Sequence, residues 1–280
     1  MIIWIASYPK SGNTWVRSFL TAYYFCENGV FDINKLSLIE DYPNKQFFKE
    51  RVKQGEIHKH WESSQKEIRD QKKVKFLKTH NSLITAFGNN FTKPEYSLGV
   101  IYIIRDPRNV VTSVKNHNDL DTYDEALKFM QNENKILEDY PHLKNYAKTN
   151  IINSWRINYR SWLSNKSFRR VTIRYEDMVE NPTQTFEKLI IFVNTLMRFD
   201  NKIDQKKLHN AIDTTSFKSL QKIENAGKFG ENVYSLKDNR KIKFFYQGPE
   251  NDWKKNLDES MIKKMNEYYQ NDLKFFQYES

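Results

Sequence analysis

A loop of small residues near the N-terminus, Ser7–Trp15 (SYPKSGNTW), has the clearest chemical pattern in the chain. It follows the apolar run Met1–Ala6 and leads into Thr14–Phe25, whose apolar residues recur at helical spacing. A strand, loop and helix in this order form a phosphate cradle, because backbone N–H groups and the helix dipole face the anion. Lys10 adds a full positive charge but precedes the glycine, so the loop is not a G-x-x-x-x-G-K-[ST] triphosphate loop. The alternative is an ordinary strand-to-helix turn with a surface lysine.

A second anion-binding pattern is Arg105–Ser113 (RDPRNVVTS), which follows the apolar run Gly99–Ile104. Pro107 favours a helix start, and the helix is expected to end near His117, which places Ser113 two turns from Arg105. An arginine fork beside a hydroxyl suits a dianionic phosphate. The alternative is a helix-start ion pair between Arg105 and its neighbour in the sequence.

Lys78-Thr79-His80 follows a third apolar run, Val74–Leu77. A histidine that titrates near neutral pH can take a proton from an attacking hydroxyl group. Lys78 can neutralise negative charge that grows in a transition state. The alternative is a structural histidine. The remaining histidines have no such setting, and the only rival is His117, which follows the helix of Ser113.

Short apolar runs alternate with helical sequence along the chain, and a fourth run is Arg170–Ile173. Strands that are apolar throughout are buried on both faces, which predicts an α/β fold with a parallel central sheet flanked by helices. Ligands bind at the carboxyl ends of such strands, where all the polar clusters above lie. Further helices are expected over Tyr123–Tyr140, Asn150–Leu163, Pro182–Asn194, Gln205–Ala211 and Leu257–Phe276, and a mobile loop over Gly227–Asp252.

Composition narrows the class of function. The net charge of +10 suits nucleic acid, a membrane surface or small anionic ligands, but the cations are interspersed with acids, which disfavours nucleic acid. The single cysteine, Cys26, lies next to an apolar run and is interpreted as a buried structural residue in a reducing, cytoplasmic setting. Neither a signal peptide nor a membrane span is expected, because no basic leader and no apolar stretch of about 18 residues occur. Without repeats or linkers, residues 1–280 are interpreted as one domain.

The Ser7–Trp15 string resembles the 5′-phosphosulfate loop of the sulfotransferases that use 3′-phosphoadenosine 5′-phosphosulfate (PAPS), T/S-Y-P-K-S-G-T-T-W, with Asn13 in place of one threonine. The resemblance implies a fold similar to that of the phosphate-loop nucleoside triphosphatases, with a phosphosulfate loop in place of their triphosphate loop. It also implies that the 5′-phosphosulfate is held by Lys10, Ser11, Gly12, Asn13 and Thr14. Trp15 is then expected near the adenine.

The other motifs are similar to those of the same family and occur in the same order. Arg105–Ser113 resembles R-D-P-x-x-x-x-x-S, which implies that Arg105 and Ser113 bind the 3′-phosphate. Lys78–His80 resembles K-T-H, which implies that His80 is the general base; Asn81-Ser82 follows instead of the family's proline. The implied catalytic residues are His80, Lys10, Lys78 and Ser113.

Towards the C-terminus the similarity becomes partial. Tyr175, in a Y-E-D-x-x-x-N-P segment, and Thr215, Ser216 and Phe217 are implied to contact the nucleotide. Gly248 matches the R-K-G-x-x-G-D-W-K motif, but Tyr246 and Gln247 replace the Arg-Lys pair that grips the 3′-phosphate. The nearby cations that are hypothesised to substitute for this pair are Arg240, Lys241 and Lys243.

The resemblance implies an enzyme that moves a sulfuryl group from PAPS to a hydroxyl or amine, releases 3′,5′-adenosine bisphosphate (PAP) and needs no metal. Two alternatives stay open: a phosphate-loop kinase that requires magnesium, and a non-catalytic binder of polyanions with steep salt dependence. The acceptor, a small molecule or a glycan, and the oligomeric state are not specified. The segments expected to form the acceptor pocket are Phe31–Trp61, Thr85–Ser97 and Gly227–Phe245, although their aromatic residues suit a plain core equally well.

Overall fold

The protein is described here by a computed structural model that covers residues 1–48, 56–138, 149–231, 233–235 and 237–278. The strands are β1 (Ile2–Ser7), β2 (Glu40–Asp41), β3 (Lys75–Thr79), β4 (Thr85–Ala86), β5 (Asn89–Asn90), β6 (Ser97–Ile104), β7 (Ile136–Glu138), β8 (Thr149–Ile151), β9 (Arg170–Arg174), β10 (Val233–Tyr234) and β11 (Lys241–Ile242). The helices are α1 (Asn13–Phe25), α2 (Trp61–Asp70), α3 (Pro107–His117), α4 (Tyr123–Gln131), α5 (Trp155–Leu163), α6 (Tyr175–Glu180), α7 (Pro182–Met197), α8 (Gln205–Thr214), α9 (Phe217–Asn225), α10 (Trp253–Asn256) and α11 (Glu259–Phe275).

A parallel sheet in the order β2-β3-β1-β6-β9 forms the centre of the fold. Every residue of β1 is buried, and Ile5 pairs with Lys78 on one side and with Ile101 on the other. The parallel register brings the carboxyl ends of β1, β3, β6 and β9 to one edge of the sheet. The expected α/β fold with a parallel central sheet is confirmed.

Alternate residues of the strands face two separate apolar cores. Trp4 and Ala6 contribute to the core formed with α2, α3, α5 and α11. Ile3 and Ile5 contribute to the opposite core, formed with α1, α7 and α8. Burying each large apolar side chain contributes roughly 1.5–3 kcal/mol. The helices on both faces therefore fix the sheet edge, and with it the polar groups that follow each strand.

Two of the expected helices are several residues shorter in the structure, whereas the bounds of α7, α8 and α11 differ from those expected by at most three residues. The helix expected over Tyr123–Tyr140 ends at Gln131, where Asn132 adopts an extended backbone, and β7 follows; Tyr140 lies outside the described residues. The helix expected from Asn150 begins at Trp155, because the Ser154 side chain caps it and β8 precedes it.

Several elements have no counterpart among the sequence predictions. The segment Gly227–Asp252 contains the hairpin β10–β11, whose strands have two residues each, and a 3-10 turn at Gly248–Glu250. Residues 232 and 236 of this segment lie outside the described part of the chain. The acceptor segment Phe31–Trp61 also includes undescribed residues, 49–55, while Trp61 and Phe91 are wholly buried in the core.

Cys26 is buried, as expected. No helix among the described residues is both long and apolar enough to cross a bilayer.

Candidate active site

The Ser7–Trp15 loop joins β1 to α1 with an unusual backbone. Lys10 and Gly12 have positive φ values of 67° and 101°, and Gly12 is the N-cap of α1. The Asn13 side chain closes the loop, because its Nδ2 donates to the Ile5 carbonyl and to Ser7 Oγ, each at 3.1 Å. A threonine at this position has no second donor for such a clamp. The substitution of asparagine for threonine therefore gives the loop an internal hydrogen-bonded support.

Buried polar atoms around this loop lack partners among the described residues. They include Ser11 Oγ, Asn13 Oδ1, Trp15 Nε1 and Arg105 Nε. A buried polar group without a hydrogen bond costs about 1–3 kcal/mol. Unsatisfied groups at the start of a helix, beside a lysine and an arginine, fit a phosphate-bearing ligand.

Arg105 links the motifs that the sequence analysis treated separately. Its Nη1 donates to the Lys10 carbonyl at 3.2 Å and to Ser113 Oγ at 3.3 Å, and its Nη2 donates to the Gly248 carbonyl at 3.1 Å. The guanidinium also lies 3.9 Å from the ring centroid of Tyr175. Four distant segments thus meet at the carboxyl end of β6.

Two glycines allow close approaches around Arg105. A Cβ on Gly12 would lie 2.7 Å from the Tyr175 ring, and one on Gly248 would lie 2.2 Å from the Phe217 ring. The ring centroids of Trp15 and Tyr175 are 5.7 Å apart, in edge-to-face geometry. These aromatic rings form one wall beside the loop, where the sequence analysis expects the nucleotide.

The Lys10 ammonium lies against His117 and Phe244. Its Nζ is 3.2 Å from His117 Nδ1 and 4.3 Å from the centroid of the Phe244 ring. Burial, together with the nearby Arg105 and Lys78 cations, lowers the pKa of Lys10 from its ordinary 10.5 to about 7, against the opposing pull of acidic residues. Burial and the neighbouring Lys10, His80 and Lys78 hold the pKa of His117 well below its usual 6.5.

His80 is the second histidine of the site. Its Nδ1 lies 2.9 Å from the Ser7 carbonyl oxygen, which assigns the proton to Nδ1 and leaves the lone pair on Nε2. Its backbone N–H donates to Asn150 Oδ1 at 3.4 Å, and its carbonyl accepts from Asn158 Nδ2 at 2.9 Å. The ring and the backbone of His80 are therefore held by β1, β8 and the helix α5.

The loop after His80 lacks the family's proline and is held in place by hydrogen bonds instead. Asn81 Oδ1 accepts from the Ile151 N–H at 2.8 Å, and Ser82 Oγ donates to the Ile152 carbonyl at 2.8 Å. The Asn81 carbonyl also accepts from Trp162 Nε1 at 2.9 Å. Hydrogen bonds to the β8–α5 segment thus fix the backbone that proline would otherwise restrict.

Charged groups that the sequence analysis missed surround the site. Lys78 Nζ pairs with Asp41 Oδ1 at 2.8 Å, and Arg17 Nη1 pairs with Glu231 Oε1 at 2.5 Å. Burial opposes ionisation of Glu231, but the Arg17 guanidinium and the Lys78 ammonium together outweigh it and lower the pKa of this carboxyl group. Glu231 also lies 3.5 Å from Thr14 Oγ1. No motif signals these acids, because they reach the site from segments far away in the sequence.

Only some of the other residues that were predicted to contact the nucleotide or its 3′-phosphate lie together at the site. Thr215 Oγ1 donates to the Ala211 carbonyl at 2.6 Å, and Ser216 Oγ caps α9, so both hydroxyl groups serve their own helices. Arg240 pairs with Asp119 at 3.2 Å and with Asp238 at 3.4 Å. Arg240 also lines a polar cleft of about 170 Å³, which it shares with Lys115, Tyr246, Gln247 and seven other residues. Lys241 is exposed beside it.

A family model described as "Sulfotransferase domain" matches residues 2–277. The chain belongs to the sulfotransferase family. Mouse sulfotransferase 1 family member D1 is 26% identical over 278 residues, which cover 95% of this chain and 81% of that protein. Human sulfotransferase 1E1 is 25% identical over 285 residues, which cover 96% of this chain and 83% of that protein.

Solved structures share the fold. Mouse sulfotransferase SULT7A1, complexed with PAP, superposes with a TM-score of 0.58 at 18% identity and covers 98% of this chain and 84% of its own. Retinol dehydratase, in complex with androsterone and the inactive cofactor PAP, superposes with a TM-score of 0.59 at 16% identity, covering 98% of this chain and 80% of its own. The chain is therefore a sulfotransferase with the fold of these structures, and the kinase alternative is not favoured.

Proposed function

We propose that this sulfotransferase moves the sulfuryl group of PAPS to a hydroxyl or amine of a small-molecule or glycan acceptor, without a metal ion. The observation that carries the proposal is the meeting of Lys10, Arg105, Ser113 and His80 at one edge of the sheet. Arg105 contacts the Lys10 backbone, Ser113 Oγ and the Gly248 backbone within 3.1–3.3 Å. Lys10, His80 and Gly248 each come from a different motif of the resemblance, and Arg105 and Ser113 come together from a fourth.

The donor side of the site is assigned to the cations and to the start of α1. Ser11, Gly12, Asn13 and Thr14 hold the 5′-phosphosulfate through backbone N–H groups at a helix N-terminus, and Lys10 neutralises the leaving phosphate. The 3′-phosphate is assigned to Arg105, Ser113 and the Gly248 backbone. The nucleoside is assigned to the wall of Trp15, Tyr175, Thr215, Ser216 and Phe217.

The acceptor side of the site is assigned to Lys78 and His80. With its Nδ1 proton committed to the Ser7 carbonyl, His80 presents the lone pair of Nε2 to the acceptor. Nε2 takes the acceptor proton while the acceptor atom bonds to sulfur, and the bond from sulfur to the phosphate oxygen breaks. Lys78 neutralises charge on the sulfuryl oxygens. The products are the sulfated acceptor, PAP and a protonated His80, which returns its proton to solvent.

Three further expectations, which concern the whole chain rather than single residues, stay predictions. They are one domain over residues 1–280, a cytoplasmic location suited to the single cysteine Cys26, and an independence of metal that follows from the cations around Lys10. Arg240, Lys241 and Lys243 as substitutes for the Arg-Lys pair also stay a hypothesis. For Arg240 it is weakened by the two aspartates that already neutralise its guanidinium.

The test is a comparison of PAP with ATP by thermal unfolding in EDTA, followed by an assay for PAP release. A ligand that binds only the folded chain adds about 2.7 kcal/mol at a hundredfold excess over its Kd. We expect a clear shift with PAP, little shift with ATP, and PAP release from PAPS when a panel of phenols, steroids, alcohols and amino sugars is supplied. In a parallel run with magnesium in place of EDTA, a shift with ATP and none with PAP would overturn the proposal.

A further inference from the structure

His117 lies inside the active site rather than on a remote helix end. It is the last residue of α3, one helical turn after Ser113. Its Nδ1 is 3.2 Å from Lys10 Nζ, and its ring packs edge-to-face on Phe244 at 5.9 Å. The same Phe244 ring lies 4.3 Å from Lys10 Nζ. The lysine head is therefore enclosed by two residues that no motif assigns.

The protonation of Lys10 decides the direction of this hydrogen bond. When Lys10 is an ammonium group it has only donors, so His117 Nδ1 is then the acceptor and its imidazole is neutral. Burial and the charges of Lys10, His80 and Lys78 hold the pKa of His117 well below 6.5, which keeps the ring neutral at physiological pH. His80 uses its Nδ1 in the opposite sense, as a donor to a carbonyl.

Ser113, the other polar residue on this face of α3, is engaged elsewhere. Its Oγ accepts from Arg105 Nη1 at 3.3 Å and from Asn251 Nδ2 at 3.2 Å. The side-chain acceptor 3.2 Å from Lys10 Nζ is therefore His117 and not the serine of the predicted catalytic set. The lysine contact and the arginine contact are separated by one turn of the same helix.

We propose that His117 is a positioning residue for Lys10, whose ammonium it holds in place and in its charged form at the phosphosulfate loop before the donor binds. The inference rests on the proposed function, which assigns Lys10 to the donor's leaving phosphate. Lys10 then exchanges the His117 nitrogen for an oxygen of the donor. His117 itself touches neither the donor nor the sulfur.

Charged groups from several distant segments of the chain act on Lys10. Burial, Arg105 at the end of β6 and Lys78 at the end of β3 favour the neutral amine, while Glu231 and Glu224 favour the ammonium. An accepting nitrogen at 3.2 Å acts in the same sense as the two glutamates. Removing that acceptor is expected to lower the pKa of Lys10 by about one unit below its value of about 7, a tenfold change in the ratio of neutral to charged lysine.

The first experiment measures the pKa of Lys10 in the donor-free protein by competitive acetylation and mass spectrometry. In His117→Asn an amide oxygen can replace Nδ1, whereas His117→Leu fills the space without an acceptor. We expect the pKa of Lys10 to fall by about one unit in His117→Leu and to stay near the original value in His117→Asn. His209→Leu, at an exposed histidine of α8, is the matched control.

The second experiment measures the affinity of PAP between pH 5.5 and 8. We expect His117→Leu to bind PAP about tenfold more weakly than the unsubstituted protein at pH 8, and within about twofold of it at pH 5.5. If His117→Leu does not fold, His117→Gln, whose longer side chain moves the oxygen away from the Nδ1 position, takes its place. Equal Lys10 pKa values and equal pH profiles would overturn the inference, as would identical losses in His117→Asn and His117→Leu. Failure of the unsubstituted protein to bind PAP would instead overturn the proposed function.

Discussion

His80 is oriented by groups on both its ring and its backbone, which is how a general base is expected to be held. The Ser7 carbonyl fixes the tautomer at 2.9 Å, while Asn150 and Asn158 fix the backbone on either side. Tyr102 extends this support, because its hydroxyl donates to Asn158 Oδ1 at 2.8 Å. A base held in this way needs no motion of its own to meet the acceptor hydroxyl.

Replacing His80 by alanine tests the role of the imidazole. We expect turnover to fall by about 10²–10⁴-fold, the usual contribution of acid–base catalysis, because alanine removes the imidazole nitrogen that is assigned to accept the proton. The affinity for PAP is expected to stay within about twofold, since the donor is assigned to residues on the other strand ends. Steady-state kinetics and calorimetry measure the two quantities, and His209→Ala serves as the control. Turnover equal to that of the control would remove His80 from the mechanism.

At the level of elements, the loop before α1 depends on a residue without a side chain. Gly12 has φ 101°, and a Cβ there would lie 2.7 Å from the Tyr175 ring. Gly88 in the β4–β5 turn also has a positive φ, 80°, but a Cβ there would meet nothing within 4 Å. Comparing substitutions at Gly12 and Gly88 therefore separates the free-energy cost of the left-handed backbone conformation from the cost of the close contact with the Tyr175 ring.

We therefore expect Gly12→Ala to lose at least about 1 kcal/mol more free energy of unfolding than Gly88→Ala, since both pay the left-handed backbone cost of about 1–2 kcal/mol. Only Gly12→Ala is expected to lose the thermal shift with PAP, because displacing Tyr175 disturbs the wall beside Arg105. Urea unfolding with and without PAP measures both effects. Equal losses in the two variants would show that the contact with Tyr175 has no energetic role.

The elements that sequence reasoning predicted well are those with a continuous apolar signal. The run Gly99–Ile104 lies within β6 (Ser97–Ile104), and Arg170–Ile173 lies within β9. The short edge strand β2, Glu40–Asp41, was missed because it is polar and its strand geometry comes only from pairing with β3. The helix α9 was also missed, although Phe217, Leu220 and Ile223 recur at helical spacing behind the Ser216 cap, because Thr215–Phe217 was interpreted only as a contact with the nucleotide.

In the active site, too, the residues that carry a local sequence signal were predictable and the others were not. The positions of residues inside a motif, such as Lys10 and Arg105, could be predicted because the string itself fixes their place after a strand, whereas their chemistry stays a prediction. The partners of these residues were not predicted, since Asp41, Glu231 and Phe244 come near only when distant segments pack together. His117 was recognised only as a rival base, and its contact with Lys10 depends on the way α3 crosses the β1 loop.

For the whole molecule, the burial of Lys10 couples donor binding to stability. The net charge of +10 attracts an anionic donor. In the donor-free fold, however, burial and the neighbouring Arg105 and Lys78 cations disfavour the charged form of Lys10. Its pKa falls from 10.5 to about 7 on folding, so the unfolded chain binds more protons between these values. Stability therefore rises with pH across that window, and below about pH 7 the fold bears the full cost of the buried ammonium.

Replacing Lys10 by methionine removes this cost and the donor's counter-charge together. We expect Lys10→Met to raise the free energy of unfolding of the donor-free protein by at least about 1 kcal/mol at pH 6, the value of one pKa unit, and to abolish the thermal shift with PAP. The gain is expected to shrink as the pH rises towards 10, because the lysine of the unsubstituted fold then loses its proton. Urea unfolding at several pH values, with the exposed Lys218→Met as the charge-matched control, measures the difference. A Lys10→Met protein that is less stable than the control at pH 6 would mean that the contacts with His117 and Phe244 outweigh the cost of burying the charge.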